Sequence, residues 1–364
     1  MDVQQKSRFT VNQSSKAVSA DQRAVMLEDP GFGRLFTDHM VTIRYSEGQG
    51  WHSHHVGPRE PFQLDPACAV LHYAQEVFEG MKAYRLADGT VAMFRPEENA
   101  RRFAESAQRM AMPVLPEDIF LEAVEQLVKI DADWIPGGEG SLYLRPFMFA
   151  SETFLGVRPS AEYIFCVIAS PAGAYFKGGK KAVTLWVSDH YTRAARGGTG
   201  AAKCGGNYAA SLVAQAEATR HGCDQVVFLD AAEHQWVEEL GGMNVFFVMK
   251  DGSLVTPALT GTILEGITRM SVIQVAKDMG REVTERKITL DEWRDGVASG
   301  DITEVFACGT AAVITPIGVL KDATEFIGSE DAKAGETTMA IREQLLGIQT
   351  GTAPDTHGWL TRLA

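Results

Sequence analysis

The chain has 364 residues, of which 45% are hydrophobic and 22% are charged, a balance that is typical of a globular protein with a sizeable core and excludes a mainly disordered chain. At roughly 150 residues per domain, this length predicts two domains. The formal net charge of −13 argues against a nucleic-acid partner, because an acidic surface repels phosphate backbones.

Signals for membranes, secretion and metals are missing from the sequence. No apolar run reaches the roughly 18 residues of a spanning helix, and the first residues lack the pattern of a signal peptide. The five cysteines show neither a CxxC pair nor the spacing of zinc ligands, which predicts free thiols and no metal site. We therefore expect a cytoplasmic protein without a membrane partner.

Strands and helices alternate irregularly over the first half of the chain. Apolar and β-branched runs predict strands, and the ADG sequence at 87–89 predicts a hairpin turn. A first-turn proline followed by acids predicts a helix at 96–110, and a three- and four-residue apolar spacing predicts a helix with one buried face at 116–130. The predicted strands are 36–45, 81–95 (a hairpin), 141–149 and 161–169.

A stretch rich in proline, glycine and lysine at 171–181 predicts a linker between two domains. We place the first domain at 1–170, with an N-terminal arm at 1–30, and the second at 182–364. Mixed strands and helices in the second domain favour an α+β domain or a small barrel over a doubly wound sheet. Its predicted strands are 182–188, 226–229, 245–248 and 304–308, and its predicted helices are 209–219, 265–279 and 337–346.

One lysine lies in a loop of small residues, GGTGAAKCGG at 197–206. The loop is not a P-loop, because Ala202 precedes Lys203 and Cys204 stands where a hydroxyl would bind the metal. It also lacks the third glycine of a dinucleotide-binding fingerprint. Taken alone, Lys203 is either an exposed surface lysine or a Schiff-base lysine, which must lose its proton to attack a carbonyl.

The segment KCGGNY at 203–208 resembles the cofactor-lysine motif of the branched-chain amino acid aminotransferases, which are pyridoxal-phosphate enzymes of fold type IV. Other blocks resemble the same family and follow in its order, over about residues 30 to 355. They are FTDHM at 36–40, LHY at 71–73, FEGMKA at 78–83, FRPEENARR at 94–102, YLRP at 143–146, GAYF at 173–176, ELGGMN at 239–244 and GTA at 309–311.

The resemblance implies a two-domain fold of mixed α+β and α/β class, with a small α+β N-terminal domain and a larger C-terminal α/β domain of pseudo-barrel form. It implies pyridoxal 5′-phosphate as the cofactor. It also implies a homodimer in which the partner subunit completes the active site.

The resemblance assigns the cofactor ring to three residues. Lys203 would bind the cofactor and then act as general acid and base at the substrate's Cα. Glu239 would keep the pyridine nitrogen protonated, which makes the ring an electron sink. The alignment on ELGGMN, and not chemistry, selects Glu239 over Glu238. Tyr208 would hydrogen-bond the 3′-oxygen of the ring; otherwise it is a core aromatic residue.

The resemblance assigns the cofactor phosphate to a cation, a hydroxyl and a helix start. Arg102 would supply the positive charge; its alternative is an exposed helix arginine. The backbone amides of Ile267 and Thr268, at the start of the predicted helix, would point at the anion. Thr310 would add its hydroxyl.

The substrate pocket is also assigned by resemblance. Arg145 would receive the side-chain carboxylate of glutamate, unless it forms a structural ion pair. The backbone amides of Ala311 and Ala312 would bind the α-carboxylate. Aromatic residues would form the wall for a branched side chain, namely Phe36, Phe78, Tyr143 and Tyr208. The partner subunit would contribute Tyr73, Leu155 and Val157.

The function implied is the transfer of the amino group of L-leucine, L-isoleucine and L-valine to 2-oxoglutarate, in branched-chain amino acid biosynthesis or degradation. An apolar pocket separates these substrates weakly, because one methylene contributes about 1–3 kcal/mol. Another enzyme of the same fold, a D-amino acid transaminase or an aminodeoxychorismate lyase, shares the lysine and the acid. The YLR block at 143–145 and the apolar pair Leu155 and Val157 favour the branched-chain enzyme.

One rival class and two departures from the family pattern bear on this interpretation. A ligand-binding relative without catalysis is disfavoured, because Lys203, Glu239 and Arg102 are all present. The mammalian CxxC redox switch after GTA is replaced by AAVITP at 311–316, so no such switch is expected. Gly242 stands where some members have a threonine near the substrate.

Overall fold

A computed structural model of the chain describes residues 7–173, 182–324, 326–329 and 332–363. The chain divides into two compact units: unit 1 contains Met1–Tyr175 and Gln349–Ala364, and unit 2 contains Phe176–Ile348. Every helix in the described ranges is too short or too polar to reach across a bilayer.

Unit 1 is built on one sheet. Its strands are β1 (Thr10–Val11), β2 (His39–Ser46), β3 (Gly50–Pro58), β4 (Glu76–Phe78), β5 (Met81–Arg85), β6 (Val91–Phe94), β7 (Ser141–Ala150), β8 (Glu162–Ala172) and, from the end of the chain, β18 (Leu360–Leu363). Over the described residues they follow the order β1-β3-β2-β8-β7-β5-β6-β18, with β4 paired to β7. The pairs are antiparallel except β1 with β3, which suits the short turns after β2 and β5.

Two helices cover this sheet and bury an aromatic cluster. The helices of unit 1 are α1 (Ala20–Glu28), α2 (Val70–Tyr73), α3 (Pro96–Arg109) and α4 (Glu117–Ile130). The rings of Phe103 on α3, Phe120 on α4 and Phe165 on β8 lie 5.3–5.9 Å apart. The predicted buried face of α4 is confirmed, and consists of Phe120, Ala123, Val124, Leu127 and Val128.

Unit 2 contains a sheet with both parallel and antiparallel pairs, which differs from a doubly wound parallel sheet. Its strands are β9 (Val183–Ser188), β10 (Gln225–Leu229), β11 (Val237–Leu240), β12 (Asn244–Met249), β13 (Leu254–Thr256), β14 (Val283–Glu285), β15 (Ile302–Gly309), β16 (Val313–Lys321) and β17 (Phe326–Gly328). The order, for the residues described, is β11-β10-β9-β16-β15-β12-β13-β14, with β17 on β16. The parallel pairs are β9 with β10, β9 with β16, and β13 with β14.

The two faces of this sheet bury different clusters, because side chains alternate along each strand. The helices of unit 2 are α5 (Gly205–Arg220), α6 (Ile267–Asp278), α7 (Leu290–Ser299) and α8 (Glu336–Thr350). Trp186 and Phe228 pack on one face with Ala214 and Ala218 of α5. On the other face Trp293 of α7 packs in a cluster that includes Leu185, Val227 and Phe247. This core fixes α5, and with it the loop that carries the candidate lysine.

The end of the chain departs from the predicted division into domains. We expected residues 182–364 to form a larger second domain, but β18 pairs with β6 and residues 349–364 belong to unit 1. Unit 2 is therefore the shorter of the two. A four-residue strand at a chain end carries no sequence signal for its partner. From residue 174 onward the predicted linker at 171–181 lies outside the described residues, and Pro171 and Ala172 complete β8.

The predicted N-terminal arm is packed on unit 1 from residue 7 onward. Strand β1 adds to the edge of β3, and Phe9 beside it is buried. The side chain of Ser19 caps α1 by accepting a hydrogen bond from the Gln22 amide, in agreement with the preference of serine for this position.

Candidate active site

Lys203 lies in the loop that enters α5, two residues before the helix begins. Its Nζ atom donates a hydrogen bond of 2.7 Å to the Oη atom of Tyr208 in the first turn of the helix. Both side chains are half-buried. The loop therefore presents an amine and a phenol side by side, where a single planar ligand can reach both.

Asn207 holds this loop in shape. Its Nδ2 atom donates to the carbonyl oxygens of Thr199 at 2.8 Å and Ala202 at 2.9 Å, and its Oδ1 atom accepts from the Thr199 hydroxyl at 2.7 Å. Gly200 lets the loop pack against other backbone, because a Cβ atom there would lie 2.5 Å from the carbonyl oxygen of Thr262. Asn207 lies inside the KCGGNY block, but no role was expected for it from the sequence.

The neighbouring residues Glu238 and Glu239 lie on β11, so their side chains point to opposite faces of the strand. Glu239 is 1% exposed. Its Oε2 atom accepts from the backbone N–H of Leu264 at 3.2 Å and lies 3.2 Å from Nη1 of Arg193. Glu238 accepts a hydrogen bond from the hydroxyl of Thr262 and lines a cleft of about 610 Å³.

The electrostatics distinguish the two glutamates. Burial raises the pKa of Glu239, while Arg193, the Leu264 amide and Lys203 act to lower it. Burial also raises the pKa of Glu238, and the Thr262 hydroxyl is the strongest influence in the other direction. Lys203 is among the charges that act on Glu239, which supports Glu239 as the carboxylate on the lysine's side of the strand.

Helix α6 begins at Ile267, as the turn and helix pattern predicts, and within the described part of the chain no side chain caps its N-terminus. Ile267 and Thr268 are both buried. The loop before the helix is held by Asn244, whose Nδ2 atom donates to the carbonyl oxygen of Leu264 at 3.1 Å. A Cβ atom on Gly266 would lie 2.0 Å from Oδ1 of Asn244. A buried, uncapped helix start of this kind can bind an anion.

Thr310, Ala311 and Ala312 form the turn between β15 and β16. This turn starts near the other site residues: a Cβ atom on Gly309 would lie 3.9 Å from the carbonyl oxygen of Gly242. A Cβ atom on Gly242 would in turn lie 3.4 Å from the Tyr208 ring. The structure thus brings the turn, ELGGMN and the lysine loop together within unit 2.

Arg102 and its neighbours belong to unit 1, which is described here by itself. Its Nε and Nη2 atoms donate to the two carboxylate oxygens of Glu79 at 2.7 and 2.8 Å. Asn99, one turn earlier on α3, donates to the same carboxylate at 2.7 Å. Arg102 is buried, which excludes the alternative of an exposed helix arginine. The bidentate pair fixes the orientation of the guanidinium.

Arg145, Tyr143 and Phe78 lie together in unit 1. The Cζ atom of Arg145 lies 4.8 Å from the centre of the Phe78 ring, and its Nη2 atom donates to Oη of Tyr143 at 3.0 Å. Its Nε atom is buried and has no hydrogen-bond partner among the residues that the structure describes. Gly80 makes room for this cluster, because a Cβ atom there would lie 2.2 Å from Oη of Tyr143. The partner of Arg145 is a phenol, so no ion pair within the described ranges accounts for its position.

The remaining predicted substrate residues lie elsewhere in unit 1. The guanidinium of Arg59 lies 5.2 Å from the centre of the Phe36 ring. The ring that contacts Tyr143, with 5.0 Å between ring centres, belongs to Phe32, which was not predicted. Tyr73, Leu155 and Val157 are exposed, Val157 to 90%. Their segments are tied together by a hydrogen bond of 2.9 Å from the Ala69 amide to the carbonyl oxygen of Glu152.

The groups assembled in unit 2 fit pyridoxal phosphate. An amine suits the aldehyde, a phenol suits the ring oxygen, and a buried carboxylate suits the ring nitrogen. The uncapped start of α6 suits the phosphate. The residues that hold these groups were not predicted from the sequence. They are Arg193, Asn207 and Asn244 in unit 2 and Glu79 and Asn99 in unit 1. Four of them lie inside the motif blocks that resemble the family, and this position was the signal that could have identified them: Asn207, Asn244, Glu79 and Asn99.

Comparisons with known proteins identify the family of the chain. The family model for class IV amino-transferases matches residues 76–319. A branched-chain-amino-acid aminotransferase of Mycobacterium tuberculosis (strain ATCC 25618 / H37Rv) is 56% identical over 361 residues, which cover 98% of each chain.

Solved structures give the same result. The branched-chain amino acid aminotransferase of Escherichia coli superposes with a TM-score of 0.73 at 30% identity, covering 88% of this chain and 99% of that one. The T.th. enzyme of the same name gives a TM-score of 0.71 at 32% identity, covering 88% and 98%. This chain therefore belongs to the class IV amino-transferases of fold type IV and, within them, to the branched-chain-amino-acid aminotransferases.

Proposed function

We propose that this enzyme transfers the amino group of L-leucine, L-isoleucine and L-valine to 2-oxoglutarate, with Lys203 as the group that handles the proton at the substrate's Cα. The products are branched-chain 2-oxo acids and L-glutamate, a reaction of branched-chain amino acid biosynthesis or degradation. The cofactor is pyridoxal 5′-phosphate. The T.th. enzyme is described as a complex with N-(5′-phosphopyridoxyl)-L-glutamate, which combines such a cofactor with glutamate.

Lys203 performs the acid–base work in both half-reactions. Its Nζ atom takes the proton from Cα of the incoming branched-chain amino acid, and it returns a proton to Cα of the glutamate formed in the second half. Tyr208 holds the amine through the 2.7 Å hydrogen bond, which orients Nζ without fixing it. The small residues on both sides of Lys203 leave room for its side chain to pivot.

Glu239 maintains a negative charge at the ring nitrogen. When bound, pyridoxal phosphate supplies an electron sink for the charge left at Cα. Glu239 stabilises a proton on the ring nitrogen from a site that is shielded from water, where the interaction is stronger than in solution. Glu238 points away and takes no part in this role.

The phosphate is bound by the amides of Ile267 and Thr268, the hydroxyl of Thr310 and the guanidinium of Arg102. The amides supply donors at the positive end of the α6 dipole. Arg102 supplies charge, and its orientation is held by Glu79. Burial of Arg102 supports this role, because a buried guanidinium that a bidentate carboxylate holds in one orientation is a fixed cation for an anionic ligand.

The substrate side uses two kinds of group. Phe36, Phe78, Tyr143 and Tyr208 form the apolar wall for a branched side chain. The amides of Ala311 and Ala312 bind the α-carboxylate, and Arg145 binds the side-chain carboxylate of glutamate or 2-oxoglutarate. The Nε atom of Arg145, which lacks an acceptor among the described residues, supports this assignment, because a buried N–H without an acceptor is costly unless a ligand supplies one.

We also propose that the enzyme is a cytoplasmic homodimer whose second subunit contributes Tyr73, Leu155 and Val157 to the active site. Exposed side chains at the end of α2 and on the loop that carries Leu155 and Val157 support a covered surface in the assembly. The five cysteines are free and buried, which suits a reducing compartment.

The Lys203–Tyr208 pair carries the proposed function, and absorbance spectroscopy of the purified enzyme tests it. We expect a visible band that converts to a near-ultraviolet band on addition of L-leucine and returns with 2-oxoglutarate. A visible band that ignores L-leucine and answers D-alanine would support a D-amino acid transaminase instead.

A pair of variants completes this test. Lys203→Ala should lose turnover, whereas Lys250→Ala, an exposed lysine outside the site, should retain it. Full activity in Lys203→Ala would refute the assignment of the base.

A further inference from the structure

The guanidinium of Arg193 links three parts of the site in unit 2. Its Nη1 atom lies 3.2 Å from Oε2 of Glu239. The same nitrogen lies 2.8 Å from the carbonyl oxygen of Thr262 and 3.3 Å from that of Gly200. Gly200 precedes Lys203 by three residues, and Thr262 belongs to the loop that leads into α6. One cation therefore touches the lysine loop, β11 and the phosphate loop.

This arrangement is buried and has little redundancy. Arg193 is 6% exposed, so water cannot replace its contacts. Among the described residues, the Glu239 carboxylate has one other polar contact besides Arg193. It accepts a hydrogen bond of 3.2 Å from the backbone amide of Leu264. A buried carboxylate with one neutral donor is poorly stabilised in its charged form, so the opposite charge of Arg193, 3.2 Å away, contributes strongly to keeping it ionised.

The charge of Glu239 depends on a small set of neighbours. Burial raises its pKa, and Arg193 is the largest influence that lowers it, ahead of the Leu264 amide and Lys203. Glu238 acts in the opposite sense, and Cys308 is a further titratable group close enough to sense Glu239. Without Arg193, the rise in the Glu239 pKa that burial causes would be opposed chiefly by the Leu264 amide and by Lys203. The Lys203 amine changes its charge during the proposed reaction, so its effect on that pKa is not constant.

We propose that Arg193 is a positioning residue that keeps the Glu239 carboxylate ionised and aimed at the ring nitrogen throughout the catalytic cycle. The inference rests on the proposed role of Glu239 and assigns its control to a residue that contacts neither substrate nor cofactor. A protonated Glu239 would compete with the ring nitrogen for the proton and so weaken the electron sink.

A merely structural role is the alternative, because Arg193 also binds two carbonyl oxygens. The variants Arg193→Met and Arg193→Lys separate the two roles. Methionine retains much of the volume and removes the charge, whereas lysine retains the charge without the planar fork. We expect Arg193→Met to lower kcat about 10- to 100-fold, by analogy with the loss when the residue that orients a metal-binding side chain is removed. Arg193→Lys should recover part of this loss.

The decisive readout is the free energy of unfolding of the full-length chain as a function of pH, measured without added cofactor. A carboxyl group with a raised pKa in the folded state contributes stability at pH values below its unfolded pKa, and that contribution is lost as the pH rises through the folded pKa. Arg193→Met raises the folded pKa of Glu239 further. In this variant the fall in the free energy of unfolding should therefore continue to a higher pH than in wild type. This difference should vanish in Arg193→Met/Glu239→Gln, which has no carboxyl group at position 239.

The visible absorbance of the holoenzyme gives an independent readout. The pH midpoint of the bound cofactor's absorbance change should shift in Arg193→Met, and adding this substitution to Glu239→Gln should cause little further shift. Equal pH profiles in wild type and Arg193→Met, or additive effects of the two substitutions, would overturn the proposal.

Failure of the proposed function has a different signature. If Glu239→Gln alone leaves kcat and the absorbance titration unchanged, Glu239 has no role at the ring nitrogen. The unfolding measurements still report, in that case, whether Arg193 controls the charge of Glu239.

Discussion

At the scale of single residues, the adjacent glutamates of β11 provide a matched pair for mutagenesis. Both are buried and both are acids, but they lie on opposite faces of one strand. We expect Glu239→Gln to lower kcat about 100-fold, because a neutral amide no longer holds the proton on the ring nitrogen. Glu238→Gln should change kcat less than about twofold. Steady-state kinetics with L-leucine and 2-oxoglutarate measures both, and an equal loss in the two variants would contradict the assignment.

Glu238 itself gives a prediction on pH. Burial raises its pKa in the folded protein, so its contribution to stability is present at acid pH and is lost as the pH rises through the folded pKa. Glutamine retains the acceptor for the Thr262 hydroxyl and does not titrate. We expect the stability of Glu238→Gln relative to wild type to be greater at pH 8 than at pH 4, as measured by urea unfolding at both pH values. The opposite order would show that the carboxylate is stabilised by its surroundings.

Arg102 and Glu79 form a buried ion pair in unit 1. Removing one partner of such a pair leaves an uncompensated charge and costs about 3–5 kcal/mol. Glu79→Ala should therefore lower the free energy of unfolding by about this amount and also weaken cofactor binding. Glu105→Ala, which removes an exposed partner of Arg101, is the matched control and should cost less than about 1 kcal/mol. Similar losses in the two variants would argue against a special role for the Glu79 pair.

At the scale of elements, the start of α6 depends on a close contact. A Cβ atom on Gly266 would collide with the side chain of Asn244, which is buried and holds the loop before the helix. Gly266→Ala should therefore cost about 1–3 kcal/mol of stability and displace the amides of Ile267 and Thr268. We expect the dissociation constant for pyridoxal phosphate to rise at least about tenfold, as measured by fluorescence titration.

The control for this variant is Gly206→Ala. Gly206 lies in the first turn of α5, and a Cβ atom there meets nothing within 4 Å among the described residues. Cofactor affinity should stay within about twofold of wild type, since alanine is the better helix former. A loss of affinity in both variants would indicate a general sensitivity of glycine positions and not a specific effect at α6.

The elements differed in how well the sequence predicted them. Helix α4 was predicted with its buried face because its apolar residues repeat at helical spacing, and α5 and α6 were predicted within a few residues of their bounds. Strands β3 and β16 were not predicted. The WHSHH sequence of β3 lacks apolar alternation, and β16 contains Pro316, which usually marks an edge or an irregularity. Both strands pair inside their sheets, so tertiary contacts and not local preference determine them.

The candidate site shows the same contrast. The groups that face the cofactor were named from the resemblance, since their motifs are specific. The side chains that hold those groups were not, because the partners of Arg193 and Asn244 are distant in sequence and a lone polar residue does not name its partner. The Arg102–Glu79 pair joins two recognised blocks, but no spacing rule connects a strand end with a helix turn 23 residues later.

At the scale of the whole molecule, the proposed homodimer can be tested at its exposed apolar loops. Leu155 is 67% exposed and Val157 is 90% exposed, so neither contributes to the core of the monomer. We expect Leu155→Asp/Val157→Asp to shift the protein from dimer to monomer in analytical ultracentrifugation and to lower activity, while far-ultraviolet circular dichroism stays unchanged. Val25→Asp, another exposed apolar residue, on α1, is the control. A double variant that remains dimeric and active would remove these loops from the interface.

The return of β18 to β6 has a consequence for the order in which the chain folds during synthesis. Arg362 on the last strand pairs with Asp88, which lies 274 residues earlier, and Leu360 is in register with Phe94. Domains generally fold as units as they leave the ribosome, the N-terminal one first. Unit 1 lacks this edge strand until residues 360–363 have been synthesised, so β6 is an open edge while unit 2 is being made. Unit 2 is thus the first unit whose residues have all been made, and β18 then pairs with β6 and completes one edge of the unit 1 sheet.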